Sequence, residues 1–224
     1  MKYQARLTAL IVLGAAAITG GLAAQVRGLP VRNAGVGTGI GVAVDVGFPN
    51  ADAGKGMTLG ATGAIGLGPL GLTATAARFD PKGEGKAINS LGATANLKIF
   101  GGPLIPFSIT AQGGIARSSY DVMTPGAIDP TGFTETHLPV GIGLALTIPN
   151  PVFSIKPWLA PRLDFVRTQF DGADAETDSR FAISGGVDLG FLNGFQVRVM
   201  YDRMKRGDVT PGILSLGLGL KVGT

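Results

Sequence analysis

The chain has 224 residues, of which 45% are hydrophobic and only 15% are charged, against about 25% charged residues in ordinary soluble domains. It contains no cysteine, which excludes disulfide bonds and a cysteine-linked lipid anchor. The formal net charge of +4 falls to about +2 without Lys2 and Arg6, which belong to a predicted leader, so the basic balance does not indicate a nucleic-acid partner.

Residues 1–24 have the three parts of a secretory signal peptide: a basic start, an apolar stretch over 7–18, and small residues up to Ala24. A single membrane anchor is disfavoured, because the apolar stretch is short for the roughly 20 residues that a spanning helix needs. We therefore expect cleavage near Ala24 and a mature chain that begins with a short periplasmic segment, residues 25–34.

The mature chain shows ten segments in which large aliphatic residues alternate with small or polar ones, as in strands with two different faces. Most have about the 9–11 residues that a tilted strand needs to cross a bilayer. Pro157 and Pro161 weaken the seventh segment, because proline cannot donate to a strand ladder. We predict strands at residues 35–47, 57–67, 70–79, 88–100, 107–117, 137–148, 155–167, 180–190, 195–203 and 214–222.

The last predicted strand shows the alternation most clearly. A soluble strand would place charged or bulky polar groups on its wet face, but here Gly217 and Gly219 stand there. Such a strand suits a wall between lipid outside and a crowded or aqueous interior. Long and short connections also alternate, and aromatic residues gather at strand ends, as at the two interfaces of a membrane. The fold predicted for residues 35–224 is all-β: a closed antiparallel transmembrane β-barrel of about ten strands, with eight as the alternative.

On this alternation, loop pattern and aromatic placement, the mature chain resembles the small bacterial outer-membrane β-barrel proteins as a class. The resemblance implies contact with outer-membrane lipid and lipopolysaccharide, and insertion by the barrel-insertion machinery. We expect no cofactor and no nucleic-acid partner, and the oligomeric state stays open. The chain departs from many members of the class at its end, where Val222, Gly223 and Thr224 replace the aromatic residue that aids insertion.

Strand parity predicts which residues point into the barrel lumen. The first, second, sixth and tenth strands contribute mostly Gly, Ala, Ser and Thr, whereas the seventh to ninth contribute large side chains. Asp188 and Arg198 should face each other on the eighth and ninth strands. Either the large side chains fill the space over the glycines, which is the commoner outcome in small barrels, or a thin polar channel remains. Because unpaired charge is costly in a narrow interior, we expect a lumen charge network of Lys156, Arg162, Asp164, Asp188, Arg198 and Asp202.

His137 is the only histidine and lies where the longest predicted loop meets the sixth strand. It is a weak candidate for catalysis, because Ser118, Ser119 or Asp121 could approach it to form a Ser–His–acid set. No local motif supports this set. We therefore interpret His137 as a solvated residue at the barrel rim and predict no catalytic site.

An acidic loop follows the seventh predicted strand, and its carboxylates are weak candidates for a calcium site, because hard cations prefer several oxygen ligands. Their spacing does not match the twelve-residue calcium loop, so we predict no metal site and a solvated or lipopolysaccharide-facing loop. The candidate ligands are Asp171, Asp174, Glu176 and Asp178.

These observations favour a non-enzymatic outer-membrane barrel with a structural or surface role, or a narrow passive pore. Two alternatives stay open. One is an outer-membrane hydrolase with a rim site at His137. The other is a soluble exported carrier, similar to a lipocalin, with its aliphatic face inward. The carrier would expose a face of Gly, Ala and Thr with few charges, which is a poor soluble surface.

Overall fold

A computed structural model describes residues 26–83, 85–102, 105–123, 129–150 and 152–222. The predicted signal peptide and the residues Gly223 and Thr224 lie outside this part of the chain. A short 3-10 helix, Ala51–Ala53, lies between the first two strands. The strands are β1 (Gly39–Pro49), β2 (Gly56–Leu67), β3 (Leu70–Pro81), β4 (Ile88–Gly102), β5 (Ile105–Val122), β6 (Thr131–Leu146), β7 (Ile148–Pro149), β8 (Phe153–Phe170), β9 (Glu176–Phe191), β10 (Phe195–Met204) and β11 (Gly212–Val222).

The strands form one antiparallel sheet that closes on itself. Except for β6 and β7, strands that follow each other in the chain pair with one another, and closure comes from the pairing of β1 with β11 and of β6 with β8. Of the eleven strands, β7 has two residues and pairs only with β8, so ten strands make the wall. The predicted closed ten-strand barrel is confirmed, and the eight-strand alternative is wrong. Within the described ranges, no helix is long and apolar enough to cross a membrane.

The outer surface of the barrel is aliphatic. On β11, Leu216 and Leu218 point outward and are each 49% exposed, and Ile142 on β6 is 48% exposed. The small residues between them point inward, as the alternation predicts. The soluble carrier needed the opposite orientation, with its aliphatic side chains inside, so that alternative is wrong. An outward surface of this kind is stable against lipid and not against water.

The two ends of the barrel differ in their connections. At one end, here called the short-turn end, β2 and β3 are joined by two residues and β9 and β10 by three. At the other, the long-loop end, β5, β6, β8 and β9 extend beyond their predicted limits. The prediction relied on aliphatic residues facing lipid. The additional strand residues lie beyond the aliphatic belt. Their outer face carries polar residues in place of alternating aliphatic ones, among them Thr134, Thr136 and Ser119.

The largest difference from the sequence-based expectation concerns residues 26–34, here called the luminal segment. We expected residues 25–34 to form a periplasmic segment before the barrel. The described residues 26–34 instead lie inside it, where Val31 and Ala34 are each 1% exposed. Positive φ angles at Gly35 and Gly39 accompany the path of the chain from the lumen into β1.

The luminal segment runs from the long-loop half of the lumen towards the short-turn end. Val26 packs in a cluster with Leu29, Ala77 and Ala116. Ala34 packs in another cluster, with Ala145, Trp158, Ala160 and Met200. The apolar core inside the barrel is therefore shared between the wall and the luminal segment.

Glycines on the inner wall make the space for this segment. A Cβ atom added to Gly47 would lie 1.9 Å from the Gly28 carbonyl oxygen, and one added to Gly143 would lie 2.0 Å from the Asn33 carbonyl oxygen. No side chain fits at such distances, because interiors are packed to contact. The lumen is thus filled over the glycine wall by the chain's own N-terminal residues, and not by the large side chains of the opposite wall alone.

Candidate functional site

The six residues of the predicted lumen network all belong to wall strands, and the structure divides them into separate groups. Arg162 and Asp202 form one group. The Arg162 guanidinium donates to both Asp202 carboxylate oxygens, at 2.8 and 3.1 Å. The Ser184 hydroxyl donates to the same carboxylate at 2.7 Å, and the Val31 backbone N–H lies 3.4 Å from it. This carboxylate therefore links three wall strands to the luminal segment.

Asp188 and Arg198 are directly opposite each other in the β9–β10 register, but no ion pair joins them in the structure. Asp188 accepts from Arg32 of the luminal segment, at 3.2 Å from Nε and 2.5 Å from Nη2. The Trp158 indole N–H also donates to Asp188, at 3.2 Å. The structure thus gives Asp188 a cation that strand parity could not predict, because Arg32 lies outside every strand.

Arg198 pairs with Asp45 of β1 across the intervening strand β11. Arg198 Nε lies 2.6 Å from Asp45 Oδ1, and the second guanidinium contact is to the other carboxylate oxygen. Asp45 is 3% exposed. Asp45 alternates with the aliphatic residues of the first strand and is not one of the six residues of the predicted network. Closure of the barrel between β1 and β11 brings the two charges together.

The remaining two predicted network residues lie apart from each other. Lys156 donates to the Ala34 backbone carbonyl of the luminal segment, at 2.5 Å. Asp164 is fully buried and lies 3.0 Å from Nδ1 of His137. The luminal segment thus contacts Lys156, whereas Asp164 belongs to a separate cluster in the long-loop half.

His137 is not solvated, and that part of the interpretation is wrong. It is 5% exposed, with Nδ1 3.0 Å from Asp164 and Nε2 3.5 Å from Glu135. Glu135 also contacts Arg27 of the luminal segment at 3.4 Å, and Arg27 donates to the Tyr120 hydroxyl at 2.9 Å. His137 follows the inward parity of β6, which extends beyond its predicted start, so the ring lies in the lumen. A ring with a carboxylate at each nitrogen can donate from both.

The proposed Ser–His–acid set does not form. Ser118 points inward opposite Glu135, but no hydrogen bond joins it to His137 among the described residues. Ser119 and Asp121 lie on the outer face of β5, where both are exposed. Ser119 bonds instead with Thr134, at 3.0 Å. Nucleophilic catalysis needs a hydroxyl within hydrogen-bond reach of a free ring nitrogen, and this arrangement lacks one in the described part of the chain.

The candidate metal ligands Asp171, Asp174, Glu176 and Asp178 are exposed. In the part of the chain that the structure covers, no three histidine or acidic side chains come together as a metal site. Asp178 accepts from Arg180 at 2.9 Å.

Sequence reasoning missed Arg27 and Arg32, which supply cations to the Glu135 and Asp188 carboxylates. Both lie outside the predicted strands, so no parity argument applied to them. One signal was present: the bare inner wall of glycines, which needs some occupant, and two arginines in the adjoining short segment.

Between the luminal segment and the short-turn end, the lumen contains a cavity of about 220 Å³. One wall carries threonine hydroxyls of β2, β3 and β4, and the other carries cationic side chains. The cavity reaches the short-turn rim at Gly39, Gly190 and Lys221. It therefore forms a pocket with the luminal segment at its inner end.

No family model matches the sequence, and no curated protein matches it. Among solved structures, the barrel is similar to the β domain of the Bordetella autotransporter BrkA, with a TM-score of 0.50 and 12% identity over 82% of this chain and 98% of that one. The translocator domain of the Neisseria meningitidis autotransporter NalP gives a TM-score of 0.49, with 13% identity over 84% and 90%. The Escherichia coli outer membrane protease OmpT gives 0.43, with 10% identity over 83% and 94%. At these identities the likeness concerns the fold alone. Together with the aliphatic outer surface, it shows that this chain has the fold of the bacterial outer-membrane β-barrels.

Proposed function

We propose that the protein is a non-enzymatic outer-membrane barrel with a structural or surface role, and that its lumen is closed by its own luminal segment. The observation that carries the proposal is the set of contacts that residues 26–34 make with opposite sides of the wall. The Arg27 and Arg32 side chains form ion pairs with Glu135 on β6 and Asp188 on β9, two strands that flank β8. On the facing side of the lumen, the Arg27 backbone carbonyl accepts a hydrogen bond from the Thr58 hydroxyl on β2. A segment held by ion pairs on one side of the lumen and by a hydrogen bond on the other blocks a continuous water path between the two ends.

The surrounding membrane supplies the partners of this proposal. The aliphatic belt contacts lipid, the long loops face lipopolysaccharide, and the barrel-insertion machinery places the chain in the membrane. The signal peptide, residues 1–24, provides the export that this route needs. A passive pore is the weaker reading, because the luminal segment fills the long-loop half.

The arrangement around His137 supports a non-enzymatic role over the hydrolase alternative. Both ring nitrogens face carboxylates, so the ring is held as a structural cation between Asp164 and Glu135. A general base needs a nitrogen free to accept a proton from a nucleophile. An esterase, acylase or protease activity that the unmodified protein shows, and that a still-folded His137→Ala variant loses, would overturn this part of the proposal.

Conductance across a planar lipid bilayer tests the closed lumen. We expect the mature protein to give no ion-conducting steps, and a variant lacking residues 26–34 to give them, because the contacts across the lumen are then gone. A double variant, Arg27→Ala with Arg32→Ala, keeps the chain length and should give brief openings. Steady conductance by the unmodified protein would contradict the proposal and favour a passive pore.

A further inference from the structure

The short-turn cavity has one wall of hydroxyl groups. The hydroxyls of Thr62 and Thr75 lie 2.9 Å apart, and those of Thr73 and Thr94 lie 2.6 Å apart, on neighbouring strands. All four residues line the cavity. A hydroxyl can both donate and accept, so this wall can present O–H donors to an acceptor inside the cavity.

The opposite wall carries more positive than negative charge. Arg32 is paired with Asp188, and Arg198 with Asp45, so these four charges cancel. Two lysines remain. Lys156 donates to a backbone carbonyl, which leaves its charge uncompensated. Lys221 lines the same cavity, and within the described ranges neither lysine has a carboxylate within ion-pair distance.

Uncompensated charge in a partly dry space is costly, and an opposite charge close by removes much of that cost. Two ammonium groups match the charge of a dianion, and the threonine wall supplies donors to its other oxygens. A volume of about 220 Å³, against about 30 Å³ for a water molecule in the liquid, holds such an ion with part of its hydration. The closed wall separates the cavity from lipid, so the ligand must be soluble.

We propose that this cavity is a binding site for a small phosphate-type oxyanion that enters from the short-turn end. Lys156 and Lys221 provide the charge, and the threonine hydroxyls provide the orienting donors. The site does not depend on whether the luminal segment closes the barrel completely, because it lies on the short-turn side of that segment.

Thermal unfolding of the full mature protein in detergent tests the site, with inorganic phosphate replacing chloride at constant ionic strength. We expect phosphate to raise the Tm saturably. Lys156→Met and Lys221→Met should each weaken the apparent affinity by about tenfold or more, as expected for loss of a charge-assisted hydrogen bond. Lys156→Arg keeps the charge and should retain most of the response. Lys86→Met, on the exposed connection between β3 and β4, should leave it unchanged.

An equal Tm in phosphate and in chloride at the same ionic strength would show that the two anions act only through general salt screening, and it would overturn the proposal. So would an unchanged phosphate response in the Lys221→Met variant, which decides the matter if Lys156→Met does not fold. The bilayer measurement separates this result from the proposed closed lumen. Lys221→Met should lose phosphate binding while the barrel stays non-conducting.

Discussion

Gly217 is an inward residue that must be glycine, because an ion pair between the two neighbouring strands lies directly over it. A Cβ atom there would lie 2.0 Å from Asp45 Oδ1 and 2.7 Å from Arg198 Nε. Only a residue without a side chain lets this ion pair cross β11. The alternation of the last strand was enough to predict that Gly217 faces inward. The reason for glycine could not be predicted, because it depends on residues from β1 and β10 that closure brings together.

A pair of double-mutant cycles, measured by unfolding in detergent, tests the choice of partner for Arg198. Asp45→Asn and Arg198→Gln should be non-additive, with a coupling of about 1–3 kcal/mol, because the two groups are in contact. Asp188→Asn and Arg198→Gln should be closer to additive, because Asp188 is paired with Arg32. A larger coupling for Asp188 than for Asp45 would contradict the assignment.

His137 holds two buried carboxylates, so its removal should destabilise the barrel. His137→Ala leaves Asp164 without its ion-pair partner, and breaking a buried pair in this way costs about 3–5 kcal/mol. The free energy of unfolding in detergent measures the loss. Ser119→Ala, at an exposed position on the outer face of β5, is the control and should change stability by about 0.5 kcal/mol or less. Equal stability of the two variants would show that His137 is a solvated residue and not a partner of the two carboxylates.

At the scale of elements, the ten wall strands were predictable and the luminal segment was not. A strand facing lipid on one side must alternate, so its sequence records its own orientation. The luminal segment has no such repeat: Val26 and Leu29 pack in one part of the lumen, and Val31 packs in another. Its position depends on a cavity that exists only after the wall has closed. The sequence did show that one inner wall consists mostly of glycine and other small residues. This wall is the surface against which the luminal segment packs.

Gly143, on the inner face of β6, tests this fit, and Gly113, on the outer face of the neighbouring strand β5, is its control. A Cβ atom at Gly143 would meet Asn33 of the luminal segment, whereas one at Gly113 meets nothing within 4 Å. Gly143→Ala should therefore destabilise the protein by about 1–3 kcal/mol through overpacking, and it should make the N-terminus more sensitive to protease. Gly113→Ala should be neutral or slightly stabilising. If both variants are equally stable, the luminal segment does not lie against β6.

At the scale of the whole molecule, closure converts a membrane wall into a nearly filled barrel. The lipid-facing surface, the number of strands and the alternation of short and long connections followed from the sequence. The state of the lumen did not, because strand parity assigns a direction to each side chain and not a partner. The carboxylates of Glu135 and Asp188 find their cations in Arg27 and Arg32, which the luminal segment brings into the lumen.

An engineered disulfide between Val26→Cys and Gly92→Cys tests the position of the luminal segment most directly. A Cβ atom at residue 92 would lie 2.9 Å from Val26 Cγ1, which places the two Cβ atoms within the reach of a disulfide, about 3.5–4.5 Å. The chain has no native cysteine, so there is no background. The wall pair Thr62→Cys and Thr75→Cys, with hydroxyls 2.9 Å apart, is the positive control. We predict that both pairs oxidise and resist thiol alkylation in the folded protein. Oxidation of the wall pair alone would contradict a luminal segment inside the barrel.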